Sequence, residues 1–149
     1  MSSNSVTLHR VIKTTPEKLY RAFTDAKALA SWLPLFGFLC VVHELEVKVG
    51  SGYKMSFTNF GTNHSHSFSG KYLELKPNEF IKHTDVFDDP NLPGEMITSV
   101  WIKKVLAGSE LKIIQENIPA LIPADMCYLG WQDSLVKLIQ LVEPVIPDA

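Results

Sequence analysis

The spacing of hydrophobic positions along the chain changes period twice. Val6 to Lys13 alternates loosely and reads as a strand with Val6, Leu8, Arg10 and Ile12 on one face. Thr14-Thr15-Pro16-Glu17 then opens a helix, with Thr15 as the cap and Pro16 in the first helical position. Leu19, Tyr20, Ala22 and Phe23 make its apolar face at helical spacing. Asp25 begins a second short helix that buries Leu29, Trp32 and Leu33, and Pro34 stops it.

From Phe38 to Phe87 the period becomes two. Val41 to Val49 is read as a strand, followed by a tight turn at Gly50-Ser51-Gly52. Tyr53, Met55 and Phe57 alternate with Lys54, Ser56 and Thr58, as a half-buried strand requires. After a loop at 59–63, His66, Phe68, Gly70 and Tyr72 alternate with Ser65, Ser67, Ser69 and Lys71. Lys76-Pro77-Asn78-Glu79 is a turn, and Phe80 to Phe87 is the next strand. Two more strands, Glu95 to Leu106 and Glu110 to Asn117, are joined by Ala107-Gly108-Ser109. The last segment returns to helical spacing. Tyr128, Trp131, Leu135, Leu138, Ile139 and Val142 form one stripe on a helix from about Ala124 to Glu143. Strands followed by one long amphipathic helix predict an α+β fold with the helix packed on the sheet.

The length of 149 residues suits one domain, 1–149, with residues 1–5 expected to be disordered. A net charge of −2 with Lys103-Lys104 as the only adjacent basic pair gives no footprint for nucleic acid. Cys40 and Cys127 make no disulfide framework and no CxxC pair, so two reduced thiols are expected. The polar start Met-Ser-Ser-Asn-Ser lacks the pattern of a signal peptide, and no apolar run approaches a membrane span. A cytoplasmic protein is expected. Asn63-His64-Ser65 matches a glycosylation sequon, which is read as chance in that setting.

Four stretches carry a resemblance to a known family. The first is Leu19-Tyr20-Arg21-Ala22-Phe23-Thr24-Asp25 with Leu29 and Trp32. The second is Val49-Gly50-Ser51-Gly52-Tyr53-Lys54-Met55, and the third runs from Gly70 through Pro77 to Ile81. The fourth is Gly130-Trp131. Their order resembles the START-like (SRPBCC, or Bet v allergen-like) superfamily, and within it the family named after the activator of the heat-shock protein 90 ATPase. The resemblance implies a helix-grip fold: a curved antiparallel sheet of about seven strands around a long C-terminal helix, with two short helices after the first strand. In that family the strand before the Asp88 loop often ends in Trp. Here Asp85 or Phe87 holds that place, which implies a more polar cavity floor.

A cavity between sheet and helix is the default site of such a fold. Its expected ligand contacts are Trp32, Tyr53, Met55, Phe57, His66, Phe68, Tyr72, His83, Phe87, Tyr128 and Trp131. The plainer alternative is that these side chains fill a core, as Leu111, Ile113 and Leu135 are expected to do. His64 and His66 have the spacing that puts both on one strand face. A zinc site would need His43 or His83 as well, so single hydrogen-bonded histidines are expected and no metal or cofactor. Asp85 would be a general acid or base if buried, but alternation is read as turning it to solvent.

The leading expectation is therefore a protein that binds a small apolar ligand without catalysis. A co-chaperone-like domain that stimulates the heat-shock protein 90 ATPase is the alternative that the resemblance implies. A cyclase or hydrolase acting in the same cavity ranks below both, because the sequence offers no compact catalytic set. Partners are expected to be the ligand and, by resemblance, the chaperone, with neither nucleic acid nor membrane. Exposed strand edges allow a monomer or a homodimer.

Overall fold

The computed structural model describes residues 4–148. β1 (Val6–Ile12) leads into two short helices, α1 (Pro16–Thr24) and α2 (Ala26–Trp32). Six strands follow: β2 (Phe38–Leu45), β3 (Gly52–Asn59), β4 (Ser65–Lys76), β5 (Phe80–Phe87), β6 (Met96–Val105) and β7 (Gly108–Glu116). The long helix α3 (Ala124–Val142) completes the order. This is the α+β helix-grip architecture, with a curled antiparallel sheet in the order β1-β7-β6-β5-β4-β3-β2. α1 and α2 carry the chain from one edge of the sheet to the other.

Local chemistry fixes that crossing. Thr15 Oγ1 accepts the Lys18 N–H at 3.2 Å and caps α1. Asp25 Oδ1 accepts the Ala28 N–H at 2.9 Å and caps α2. Each cap satisfies one of the amide donors a helix start leaves free, an effect of about 1 kcal/mol. Trp32 is fully buried, donates Nε1–H to the Ala22 carbonyl at 2.8 Å and meets Phe23 edge-on. One side chain thus locks α2 onto α1.

Two strands depart from simple alternation. β2 starts at Phe38 rather than Val41 and ends at Leu45, so 46–51 is not strand. That segment folds over β4 instead: Gly50 N–H donates to the Tyr72 carbonyl at 3.0 Å, and Tyr72 N–H to the Ser51 carbonyl at 2.8 Å. In β4 the register passes from Tyr72↔His83 to Glu74↔Lys82, which leaves Leu73 as a bulge. The extra residue moves the inward face from His66, Phe68 and Tyr72 to Leu75, which packs on the core.

α3 is anchored by its C-terminal half. Leu135, Leu138 and Val142 are buried in one cluster with Leu8, Ile12, Leu111 and Ile113. Burying each such side chain contributes roughly 1.5–3 kcal/mol. Ser134 Oγ donates to the Leu33 carbonyl at 2.6 Å, and Glu143 Oε2 accepts the Lys13 N–H at 3.0 Å. The N-terminal half is different: Ala124, Cys127 and Trp131 are only partly buried. The sheet and this half of the helix stand apart. Among the described residues no helix is long and apolar enough to cross a membrane.

Candidate functional site

The gap between the sheet and the N-terminal half of α3 is a cavity of about 310 Å³. β3 sends in Tyr53, Met55 and Phe57, and β4 sends in His66, Phe68 and Tyr72. β5 contributes His83, Asp85 and Phe87. Trp32 closes the α2 side, and Cys127 and Trp131 close the α3 side. Phe57, Phe68 and Phe87 meet edge to face, with Phe68 ring centroids 4.8 Å from Phe57 and 6.4 Å from Phe87. His66 leans on the same rings but is exposed, so it sits at the rim.

One expected contact falls elsewhere. Tyr128 does not line the cavity and is 36% exposed. With about 100° of turn per residue, Cys127, Trp131 and Ser134 define the inward face of α3. Tyr128 lies on its flank. The apolar stripe read from the sequence matches burial along Leu135, Leu138 and Val142, and of its two N-terminal members Trp131 lines the cavity while Tyr128 does not.

The second correction concerns Asp85. It is buried, not turned to solvent, and lines the cavity. Its Oδ2 accepts the Thr98 hydroxyl at 2.5 Å, and its Oδ1 accepts the Tyr53 hydroxyl and lies 3.1 Å from His83 Nδ1. Behind Thr98 the chain of donors continues. Gln115 Nε2 donates to Thr98 Oγ1 at 3.2 Å, while Gln115 Oε1 accepts from Trp131 Nε1 at 3.1 Å and from Cys127 Sγ at 3.0 Å. Every link donates toward the carboxylate, the arrangement an ionised and buried Asp requires. Thr98 and Gln115 were not singled out in the sequence. Their signal was parity with the core residues Val100 and Ile113 on β6 and β7.

These contacts set the charge states. Burial pushes the Asp85 carboxyl up, but the facing His83 and the hydrogen bonds from His83, Thr98 and Tyr53 outweigh it, so its pKa lies below the ordinary carboxylate value. Burial lowers His83, and the Asp85 charge, the bond to Asp85 and the Thr84 carbonyl together carry it above its ordinary value. Burial, then the charge of Asp85, raises Tyr53 well above a normal phenol. Tyr72 is pushed up to about 12 by burial, with Tyr20 and Asp85 adding to it. His66 moves the other way, lowered by burial and by His64 against a smaller pull from Asp89.

Apart from the ring nitrogens of His66 at the rim, two side-chain polar atoms of the cavity have no protein partner among the described residues. His83 Nδ1 faces the Asp85 carboxylate and the Thr84 carbonyl, 3.2 Å away, and both only accept. Nδ1 therefore carries the proton, and Nε2 is the atom left over. No side-chain N or O sealed from solvent lacks a partner among the described residues, so His83 Nε2 and Tyr72 Oη each keep some exposure, on two residues that line the cavity. The two rings stand edge to face with centroids 5.9 Å apart.

The other histidines do not join them. His64 lies in the loop before β4, so it shares no strand face with His66. His43 sits at an irregularity of β2 and bonds Ser56 Oγ at 2.7 Å, on the face away from Met55. Among the described residues no three His, Cys, Asp or Glu side chains converge as metal ligands. Cys40 and Cys127 are free thiols, each half-buried.

Comparison with known proteins places this geometry. The family described as Activator of Hsp90 ATPase homolog 1-like protein matches residues 13–143. The crystal structure of a Chromobacterium violaceum protein is 51% identical, covers 95% of this chain and 99% of its own, and superposes with a TM-score of 0.94. A Rhodobacter sphaeroides protein, 19% identical, covers 93% and 91% of the two chains with a TM-score of 0.80. The AHSA1-like protein from Aeromonas hydrophila, 14% identical, covers 91% and 90% with a TM-score of 0.74. The last two likenesses speak to the fold alone. No curated protein matches the chain.

Proposed function

The chain belongs to the Activator of Hsp90 ATPase homolog 1-like family, and on that premise we propose that it binds a small, mostly apolar ligand between the sheet and α3. The observation that carries the reading is the aromatic cavity of about 310 Å³. A dry cavity of about 150 Å³ holds benzene, so this one suits compounds of one or two rings better than sterols or long acyl chains. Covering roughly 200 Å² of apolar ligand surface at ~25 cal/mol per Å² contributes about 5 kcal/mol before the cost of association. Phe57, Phe68, Phe87 and Trp131 supply that contact, and the polar pole at His83 and Tyr72 fixes orientation.

The test is a thermal-shift screen of one- and two-ring aromatics, flavonoids, sterols and fatty acids. A rise in melting temperature with ring compounds, lost in Trp131→Ala at unchanged fold, is expected. No shift with any class overturns the reading. Contact with Hsp90 is a second reading supported by the family's description; stimulation of the chaperone's ATPase by this chain checks it, and no stimulation removes it.

A further inference from the structure

We propose that the cavity selects a ligand with one acidic hydroxyl, a phenol or an enol, and shares that proton through His83 Nε2. The inference rests on the reading of the cavity as a ligand site and adds the chemical class. Its ground is the pair of unpartnered polar atoms, His83 Nε2 and Tyr72 Oη, carried by two neighbouring rings in a mostly apolar cavity.

Nδ1 is held by Asp85 and the Thr84 carbonyl, so Nε2 is the atom of this ring that changes protonation. When His83 is neutral, Nε2 is an acceptor and asks for a hydroxyl donor. When His83 is charged, Nε2–H is a donor and asks for an oxyanion. One hydroxyl meets both demands. As its proton passes to Nε2, the O–H bond breaks, both of its electrons stay on the ligand oxygen, and an N–H bond forms. No other reactant is consumed. The oxyanion then lies against the imidazolium, with the Tyr72 hydroxyl free to donate to the same oxygen. Asp85, already filled by Tyr53, Thr98 and His83, balances the new charge on the ring.

The surroundings fit that exchange. His83 faces Asp85 and the Thr84 carbonyl on its own strand, Tyr72 from β4, Tyr53 from β3 at 5.5 Å between rings, and Thr98 in register on β6. Cys127 on α3 feels the Asp85 charge from the far side. None of these groups is cationic, and His66, the other imidazole of the cavity, stands at the rim against Phe57 and Phe87, where burial and His64 disfavour its charged form. A carboxylate is a poorer match, because two donors leave most of its lone pairs dry.

The experiment compares para-nitrophenol, para-nitroanisole and para-nitrobenzoate by equilibrium dialysis, on the acid side of the nitrophenol's own titration. A hydrogen bond to a charged group predicts at least about tenfold tighter binding of the phenol than of its methyl ether. The bound phenol should also show the visible phenolate band where the free compound is colourless. His83→Phe should lose the preference and the colour while still binding para-nitroanisole. Tyr72→Phe, which removes only a hydroxyl, should weaken the phenol alone and serves if His83→Phe does not fold. Equal binding of phenol and ether, or a preference that survives in the variants, overturns the hydroxyl assignment. Tighter binding of the benzoate overturns it in favour of a carboxylate site. Failure of all three probes overturns this inference, and the cavity reading falls with it when the wider thermal-shift screen is also silent.

Discussion

Gly70 of β4 stands opposite Tyr53 of β3, and the Tyr53 ring lies across the place where a Gly70 side chain would be. That passage lets a residue on β3 reach over β4 and give its hydroxyl to Asp85 on β5. The backbone of β5 also closes in there, since a Cβ on Gly70 would collide with the Thr84 carbonyl as well as with the Tyr53 ring. One missing side chain therefore serves both the packing of two strands and the polar pole of the cavity.

Gly70→Ala is expected to lower stability by about 1–3 kcal/mol, the cost of overpacking a close contact. Urea unfolding should show a lower midpoint at unchanged slope. The Tyr53–Asp85 bond should be lost with it, which a changed titration of His83 by NMR would reveal. A variant as stable as the parent would mean that β4 and β5 separate freely at this point.

The sequence made most of the cavity wall legible and its polar pole only in part. Period two placed Tyr53, Met55 and Phe57 together, and His66 with Phe68 and Tyr72, because one face of each strand is apolar. The same period sets Asp85 on a face with His83 and Phe87, so reading alternation as turning Asp85 to solvent takes the strand one residue out of phase with those neighbours. What makes burial tolerable is the set of donors on β3, β5 and β6, and such cross-strand partners leave no mark on the local pattern. The bulge at Leu73 and the passage at Gly70 were equally silent, since they depend on how neighbouring strands approach each other.

Asp85→Asn is expected to cost about 3–5 kcal/mol, the penalty for leaving one member of a buried pair uncompensated. The amide also turns a donor toward the Tyr53 or Thr98 hydroxyl, which already donates. With the carboxylate gone, burial, the largest effect on His83, is opposed only by the Thr84 carbonyl and should carry the ring below the ordinary histidine value. An NMR titration of the imidazole measures that reversal of direction. A His83 pKa unmoved by the substitution would show that Asp85 does not set its charge.

Three groups of the cavity should make stability depend on pH. Asp85 titrates lower in the folded chain than its unfolded value of 3.8, so its contribution holds above that value and fades as pH falls through the folded one. His83 is raised above 6.5, so its contribution is full below 6.5 and disappears as pH rises through the folded value. His66 is lowered and opposes it, adding stability above 6.5 that is lost as pH falls through its own folded value. In His66→Gln the His83 contribution stands clear of its opponent. The rise in stability that His66 causes just below 6.5 in the parent should be missing from that variant, and its denaturation midpoints should fall as pH rises above 6.5. A flat profile there would contradict the ion pair.

The two thiols separate occupation of the cavity from general stabilisation. Burial pushes Cys127 up to about 11, with the Asp85 charge adding to it, and pushes Cys40 up to about 11 against a small pull from Lys137. At about pH 8, three units lower, roughly one thiol in a thousand is thiolate, so both should alkylate slowly in the native chain. Only Cys127 lines the cavity, between Met126 and Gly130 on α3, while Cys40 lies on β2 outside it. With a compound that raises the melting temperature, labelling of Cys127 should fall and labelling of Cys40 should hold, as read by mass spectrometry of the two peptides. Stabilisation alone slows both equally, because each thiol then waits for the same global opening. Equal protection would therefore place the compound somewhere other than under the N-terminal half of α3.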